Sequence, residues 1–148
     1  MMELCEINEM LLTEFSSGAI VEMERQMMDM PQVEMPIEDL YFNGMYARKI
    51  LIPEGTILTG QVHKNDYINV MVSGDIVVTT GEDVKRFDAF ELIPGKAGQK
   101  RAGYAFTDTV WLTIDPADHE EDDMVDLISC TNVAQYKKWQ NNLLGGAS

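Results

Sequence analysis

Hydrophobic and polar positions along this chain change their period twice. Residues 3 to 15, "ELCEINEMLLTEF", set Leu4, Ile7, Leu11, Leu12 and Phe15 three and four apart, which is one apolar helical stripe, and "SSG" ends it. In "AIVEMERQMMDM" the spacing returns through Ile20, Met23 or Glu24, Met27 and Met28, until Pro31 disfavours helix at the residue before it. Two short helices are therefore predicted within 1–30. The next stretch, "PQVEMPIEDLYFN", holds two prolines and no sustained period, so 31–45 is predicted to be an extended linker.

From Tyr46 the pattern becomes short runs of branched and aromatic residues, separated by Gly, Pro, Asn and Asp turns at intervals of roughly ten residues. The candidate strands are "MYARKILI", "TILTGQVH", "YINVMVSG", "DIVVTT", "FDAFELIP", "AGYAFT" and "TVWLTI". Taking Val70, Val72, Ile76 and Val78 as inward leaves Met71, Ser73, Val77 and Thr79 opposite, with one slip near Gly74. Strands in this number and spacing predict a mainly β domain over 46–115, a closed barrel or a jelly roll. After Ile114, Asp115 before Pro116 followed by a run of acids suits a helix start. "NVAQYKKWQNNLL" then places Val133, Tyr136, Trp139 or Gln140 and Leu143 on one face, so 116–148 is expected to be a helical extension packed on the barrel or on a partner.

Composition narrows the chemistry. The chain has 148 residues, 25 acidic against 11 basic, for a formal charge of −14, which opposes binding to phosphate backbones and anionic membranes. No apolar run approaches a membrane span, and the acidic start does not resemble a secretory signal, so a cytosolic place is expected. Cys5 and Cys130 form no CxxC or Cys/His pattern and are expected to be reduced, buried thiols. The densest basic cluster, "GKAGQKR" with Lys96, Lys100 and Arg101, is either a set of solvated loop charges or a site for phosphate or carboxylate. Eleven methionines, nine of them before Tyr46, fit an N-terminal arm packing against a neighbouring subunit.

One spacing carries a family resemblance. The first cupin motif runs Gly, five residues, His, one residue, His, three or four residues, Glu, six residues, Gly. This chain resembles it with Gly55, Gln61, His63, Tyr67 and Gly74 at those positions. The resemblance implies a cupin-like, RmlC-type jelly-roll barrel with helical N- and C-terminal extensions. Cupins bind metal through the two histidines and the glutamate, with a further histidine from a second motif. Its counterpart here is "PGKAGQKRAGY", where Gln99, Arg101 or Phe106 takes the fourth position. With a lone imidazole between an amide and a phenol, a degenerate, metal-free site without cofactor is expected. The layout of "MPQVEMP", "YARKILIPEGTILTG", "HK", "KRAGYAF" and "DTVW" also resembles small cupin-like proteins of tailed phages and prophages, some with histidines at the positions of Tyr67 and Phe106.

Three functions follow as expectations. The leading one is a non-catalytic, homo-oligomeric assembly or protein-binding module of phage origin, placed in the host cytoplasm or the virion, with a phage or host protein as further partner and neither nucleic acid nor membrane. The second is small-ligand binding, of a sugar or nucleotide, in a pocket lined by Gln61, His63, Tyr67, Tyr104 and Trp111. The third is a metal-independent sugar isomerase or epimerase with His63 as base, Asp66 or Asp108 orienting it, Tyr67 or Tyr104 as acid, and Lys100 or Arg101 clamping an anionic substrate.

Overall fold

Asn43 and Gly44, at φ 49° and 83°, form the kind of two-residue turn that matches the twist of a hairpin, and they join the first two strands. The computed structural model describes residues 22, 24–79 and 83–145. The predicted helix 3–15 lies outside them, and residues 24–27 are helical as expected. The elements are β1 (Ile37–Phe42), β2 (Met45–Ile52), β3 (Ile57–Thr59), β4 (Val62–His63), β5 (Tyr67–Ser73), β6 (Ile76–Thr79), β7 (Val84–Phe87), β8 (Glu91–Gly95), β9 (Ala102–Ala105), β10 (Thr109–Pro116), α1 (Met124–Ile128), β11 (Ser129–Cys130) and α2 (Val133–Gly145). Among the described residues no helix is long and apolar enough to cross a membrane.

All pairings are antiparallel. A five-stranded sheet in the order β1-β2-β10-β5-β8 faces a four-stranded sheet in the order β3-β9-β6-β7, and β11 pairs with β4. The sheets do not join into one closed cylinder, so of the two predicted architectures the jelly roll is the one formed. Its core places Ile52, Met71 and Trp111 of the large sheet against Ile76, Phe87 and Ala105 of the small one, with the Phe87 and Trp111 rings edge-on at 6.0 Å.

Several boundaries differ from the sequence expectation. The 31–45 linker contributes β1, an edge strand, because Asn43-Gly44 turns it back onto β2. "FDAFELIP" is not one strand: Phe87 ends β7 and Glu91 begins β8. On β5 the inward residues are Tyr67, Asn69 and Met71, opposite in parity to the expected Val70 and Val72, while Ile76 and Val78 on β6 do face inward. The parity changes at Gly74, whose φ of 113° turns the chain where an added Cβ would lie 2.6 Å from the Asp108 carbonyl oxygen. Asp115-Pro116 ends β10 rather than opening a helix; α1 starts at Met124, where Asp123 caps the amides of Val125 and Asp126. The short α1 closes one end of the sandwich through Ile128, which packs with Tyr46 and Ala117. Cys130 is a free, half-buried thiol on β11, and Cys5 lies outside the described residues.

Candidate functional site

Between the two sheets lies a cavity of about 300 Å³. Its floor is apolar, made by Ile50, Ile52, Leu58, Ile76, Val78 and Trp111, and its polar groups include Arg48, Gln61, His63, Arg101 and Thr113. A concave, mostly apolar space with a few converging polar groups is the usual form of a small-molecule site.

His63 is the centre of the polar side. Its strand β4 is held from both directions: Ser129 pairs with it across β11, and its carbonyl oxygen accepts from the Gly98 amide at 3.0 Å. On the ring, Nδ1 lies 2.5 Å from Oδ2 of Asp115, whose side chain is 1 % exposed. A carboxylate at Nδ1 fixes the neutral tautomer with its proton there and leaves the lone pair on Nε2. His63 lines the cavity, and no hydrogen-bond partner meets Nε2 among the described residues. Asp115 Oδ1 has no partner among them either.

The ring is held from the side as well. Tyr67 stacks on it with centroids 3.6 Å apart and planes at 8°. The far face of Tyr67 lies against Gly95, where a Cβ would fall 2.5 Å from the ring. Burial pushes the Tyr67 phenol above its ordinary range, Asp115 adds to the rise, and Arg101 and a hydrogen bond to Asn69 oppose it. Asn69 is fully buried, and its Oδ1 accepts from Trp111 Nε1 at 3.1 Å and from Arg101 Nη2 at 3.2 Å. The Arg101 guanidinium sits 5.2 Å from the Tyr67 centroid and has no carboxylate partner among the described residues. Arg48, by contrast, is paired in a fork with Asp39 at 2.8 and 2.9 Å, which holds the Asp39 carboxyl below its usual range.

The predicted residues divide accordingly. Gln61, His63, Arg101 and Trp111 line the cavity, and Tyr67 supports His63 without being part of the lining. Tyr104 is not in this cavity: it packs with Val77 and Phe106 on the outer face of the small sheet, beside a second cleft under Met27, Met28 and Met30. Lys100 is no ligand clamp either. It is fully buried and bound to Glu24 at 2.7 Å and to the Thr131 carbonyl at 2.8 Å, tying the N-terminal arm to the C-terminal segment. Neither expected orienting carboxylate reaches His63, since Asp66 accepts from the Ala97 amide and Asp108 from the Glu54 amide. Phe106 lies outside, under Arg86, so Arg101 is the residue of that loop that enters the cavity. The orienting role falls to Asp115. Continuing the inward alternation of Thr109, Trp111 and Thr113 by two residues would have found it.

The cupin-type metal does not fit these residues. Of the motif positions, His63 alone is a usual transition-metal ligand; its Nδ1 is committed to Asp115, and Tyr67 lies parallel to it rather than converging with it. No three His, Cys, Asp or Glu side chains converge among the described residues.

No family model matches the chain, and no curated relative does. Solved structures do. A cupin superfamily protein from Desulfitobacterium hafniense is 12 % identical with a TM-score of 0.51, covering 61 % of this chain and 84 % of that one. KdgF from Halomonas is 18 % identical with a TM-score of 0.51, over 64 % and 89 %. An RmlC-like cupin from Shewanella frigidimarina is 19 % identical with a TM-score of 0.50, over 64 % and 90 %. What this chain shares with all three is architecture, and its fold is the RmlC-like cupin jelly roll.

Proposed function

We propose that the cavity between the sheets binds a small anionic ligand and that His63 exchanges a proton with it as a general base. The observation that carries this reading is the buried His63–Asp115 pair at the cavity, with no hydrogen-bond partner on Nε2 among the described residues. A base needs its lone pair facing the substrate and a second group that orients the ring and stabilises the imidazolium once the proton arrives. Asp115 supplies the second requirement, and the Tyr67 stack removes rotational freedom. Arg101, free of any carboxylate partner among the described residues, is the group that would hold the anion.

The test uses thermal unfolding of the wild-type chain with a panel of sugar acids and sugar phosphates, followed by solvent deuterium uptake at the carbon next to the carboxylate of the acids or the carbonyl of the phosphates. Binding at about 100 times Kd contributes ~2.7 kcal/mol, a rise of roughly 5–10 °C for a domain of this size. Arg101→Met abolishes the rise, and His63→Gln keeps binding while stopping exchange. Stabilisation without exchange would leave a binding module and remove the base. No stabilisation by any member of the panel, or an equal rise in Arg101→Met, would reject the site and return attention to the outer surface and an assembly role.

A further inference from the structure

The cavity between the sheets is polar at one end only. Several of its polar side chains are already spent: Arg48 is forked to Asp39 and bonded to the Tyr46 hydroxyl, the Ser129 hydroxyl donates to the Val125 carbonyl, and the Thr59 hydroxyl donates to Glu24. What remains for a ligand gathers beside β5. Arg101 bonds Asn69 of that strand, His63 stacks on its Tyr67, Thr113 pairs with Asn69 from β10, and Gln61 stands two residues before His63. Away from this cluster the lining turns to Ile50 and Ile52 of β2, with Met35 beyond them before β1. In the sheet order β10 and β2 separate β5 from β1, three strand spacings or ~14 Å.

We infer that the ligand is an amphiphilic carboxylate, its head on Arg101 and its alkyl or aryl tail laid along the apolar floor toward Met35; this ligand class rests on the role proposed above for Arg101. Polarity selects it over a sugar acid. Each hydroxyl moved from water onto Ile50, Ile52 or Trp111 without a partner weakens binding roughly 10-fold, whereas each methylene placed there tightens it ~4-fold. A sugar acid keeps the head contact and binds, but less tightly. Volume sets the length. A cavity of ~150 Å³ holds one benzene ring, so about 300 Å³ takes roughly a dozen heavy atoms. Met35 marks the far limit. With Leu58 and Thr59 it also lines the second cleft, of about 310 Å³, so these three residues are the wall between the two spaces. Met35 packs against the core cluster of the sandwich, and its unbranched thioether makes it the most adaptable part of that wall.

Isothermal titration calorimetry on the full chain tests this with butanoate, hexanoate, octanoate and decanoate, beside glucuronate and octan-1-ol. Affinity is expected to rise ~4-fold per methylene and to level off near decanoate, with octanoate at least ~10-fold tighter than glucuronate. Octan-1-ol, and octanoate on Arg101→Met, should each bind at least ~10-fold more weakly than octanoate on the wild type. Met35→Ala, which opens the wall, should leave butanoate unchanged and carry the rise on to dodecanoate. Glucuronate as tight as octanoate would overturn the amphiphile while leaving the anion site standing. The same chain-length rise for the alcohol and in Arg101→Met would overturn it as well, since the chains would then be adsorbing to exposed apolar surface. An unchanged plateau in Met35→Ala overturns the path of the tail, and no binding by any acid removes the anion site and the ligand class together.

Discussion

Adding one methyl group at Gly95 tests the packing of the candidate site more directly than removing any polar group. Gly95 on β8 sits opposite Tyr67 on β5, and its backbone is in the ordinary extended region, so alanine meets no conformational penalty there. The methyl would lie 2.5 Å from Cζ and 2.6 Å from both Cε atoms of the Tyr67 ring. Carbon atoms rest at ~3.5–4.0 Å, so the ring would have to withdraw by about 1 Å. It has nowhere to go, because His63 already lies against its other face at a 3.6 Å centroid distance. Displacing His63 in turn disturbs the 2.5 Å contact to Asp115. Overpacking of this kind costs ~1–3 kcal/mol, against a gain of roughly 0.5–1 kcal/mol from replacing a strand glycine, so Gly95→Ala is expected to destabilise by about 1–2 kcal/mol. Urea unfolding followed by tryptophan fluorescence should show the midpoint falling by roughly 1 M. In a Tyr67→Ala background the same substitution should cost nothing, a coupling of at least ~1 kcal/mol. Equal effects in the two backgrounds, or a single variant within ~0.5 kcal/mol of wild type, would show that Tyr67 is not wedged between Gly95 and His63.

Three further outcomes follow from buried polar groups. Burial and a hydrogen bond to Asp39 push the Tyr46 phenol up to about 12, with Arg48 opposing. Free tyrosine ionises near ~10, so on raising the pH the unfolded chain loses its proton first; stability is full below about pH 10 and declines toward pH 12 by at most ~2.7 kcal/mol, a loss that urea midpoints should show shrinking in Tyr46→Phe. Asn69→Leu removes the acceptor shared by the Trp111 indole and Arg101, and should cost ~1–3 kcal/mol in urea unfolding, with much of the loss relieved when Trp111 is also changed to Phe. Lys100→Met releases Glu24 of the arm from the C-terminal segment at Thr131, and trypsin nicking after Arg25 should accelerate ~10-fold or more while the sheets keep their far-UV signal; an unchanged rate would mean the arm is held by other contacts.

What the sequence made legible was local, and what it hid depended on distant chain. Strand existence from Tyr46 to Ile114 could be read because β-branched runs and turn residues act within a few positions, and β2 falls on the predicted "MYARKILI". Face assignment failed on β5 because parity there is set by Gly74 and by the irregular β10 register near Val110 and Trp111, neither of which alternation in one strand can reveal. Lys100 looked like a loop cation because nothing within its own turn explains it; its carboxylate comes from Glu24, far earlier in the chain and before the first strand. Asp115 was the costliest miss, since Asp before Pro is a genuine helix-start signal and also a legitimate strand end. Local propensity could not choose between them. The choice is made by β2, which pairs with β10 as far as Pro116 and so keeps Asp115 on the same inward side as Trp111 and Thr113. That two-residue extension carries the carboxylate to a histidine 52 positions earlier. The site therefore depends on strand length: shortening β10 by its last two pairs would leave the cavity, Arg101 and His63 in place but remove the group that holds the His63 ring.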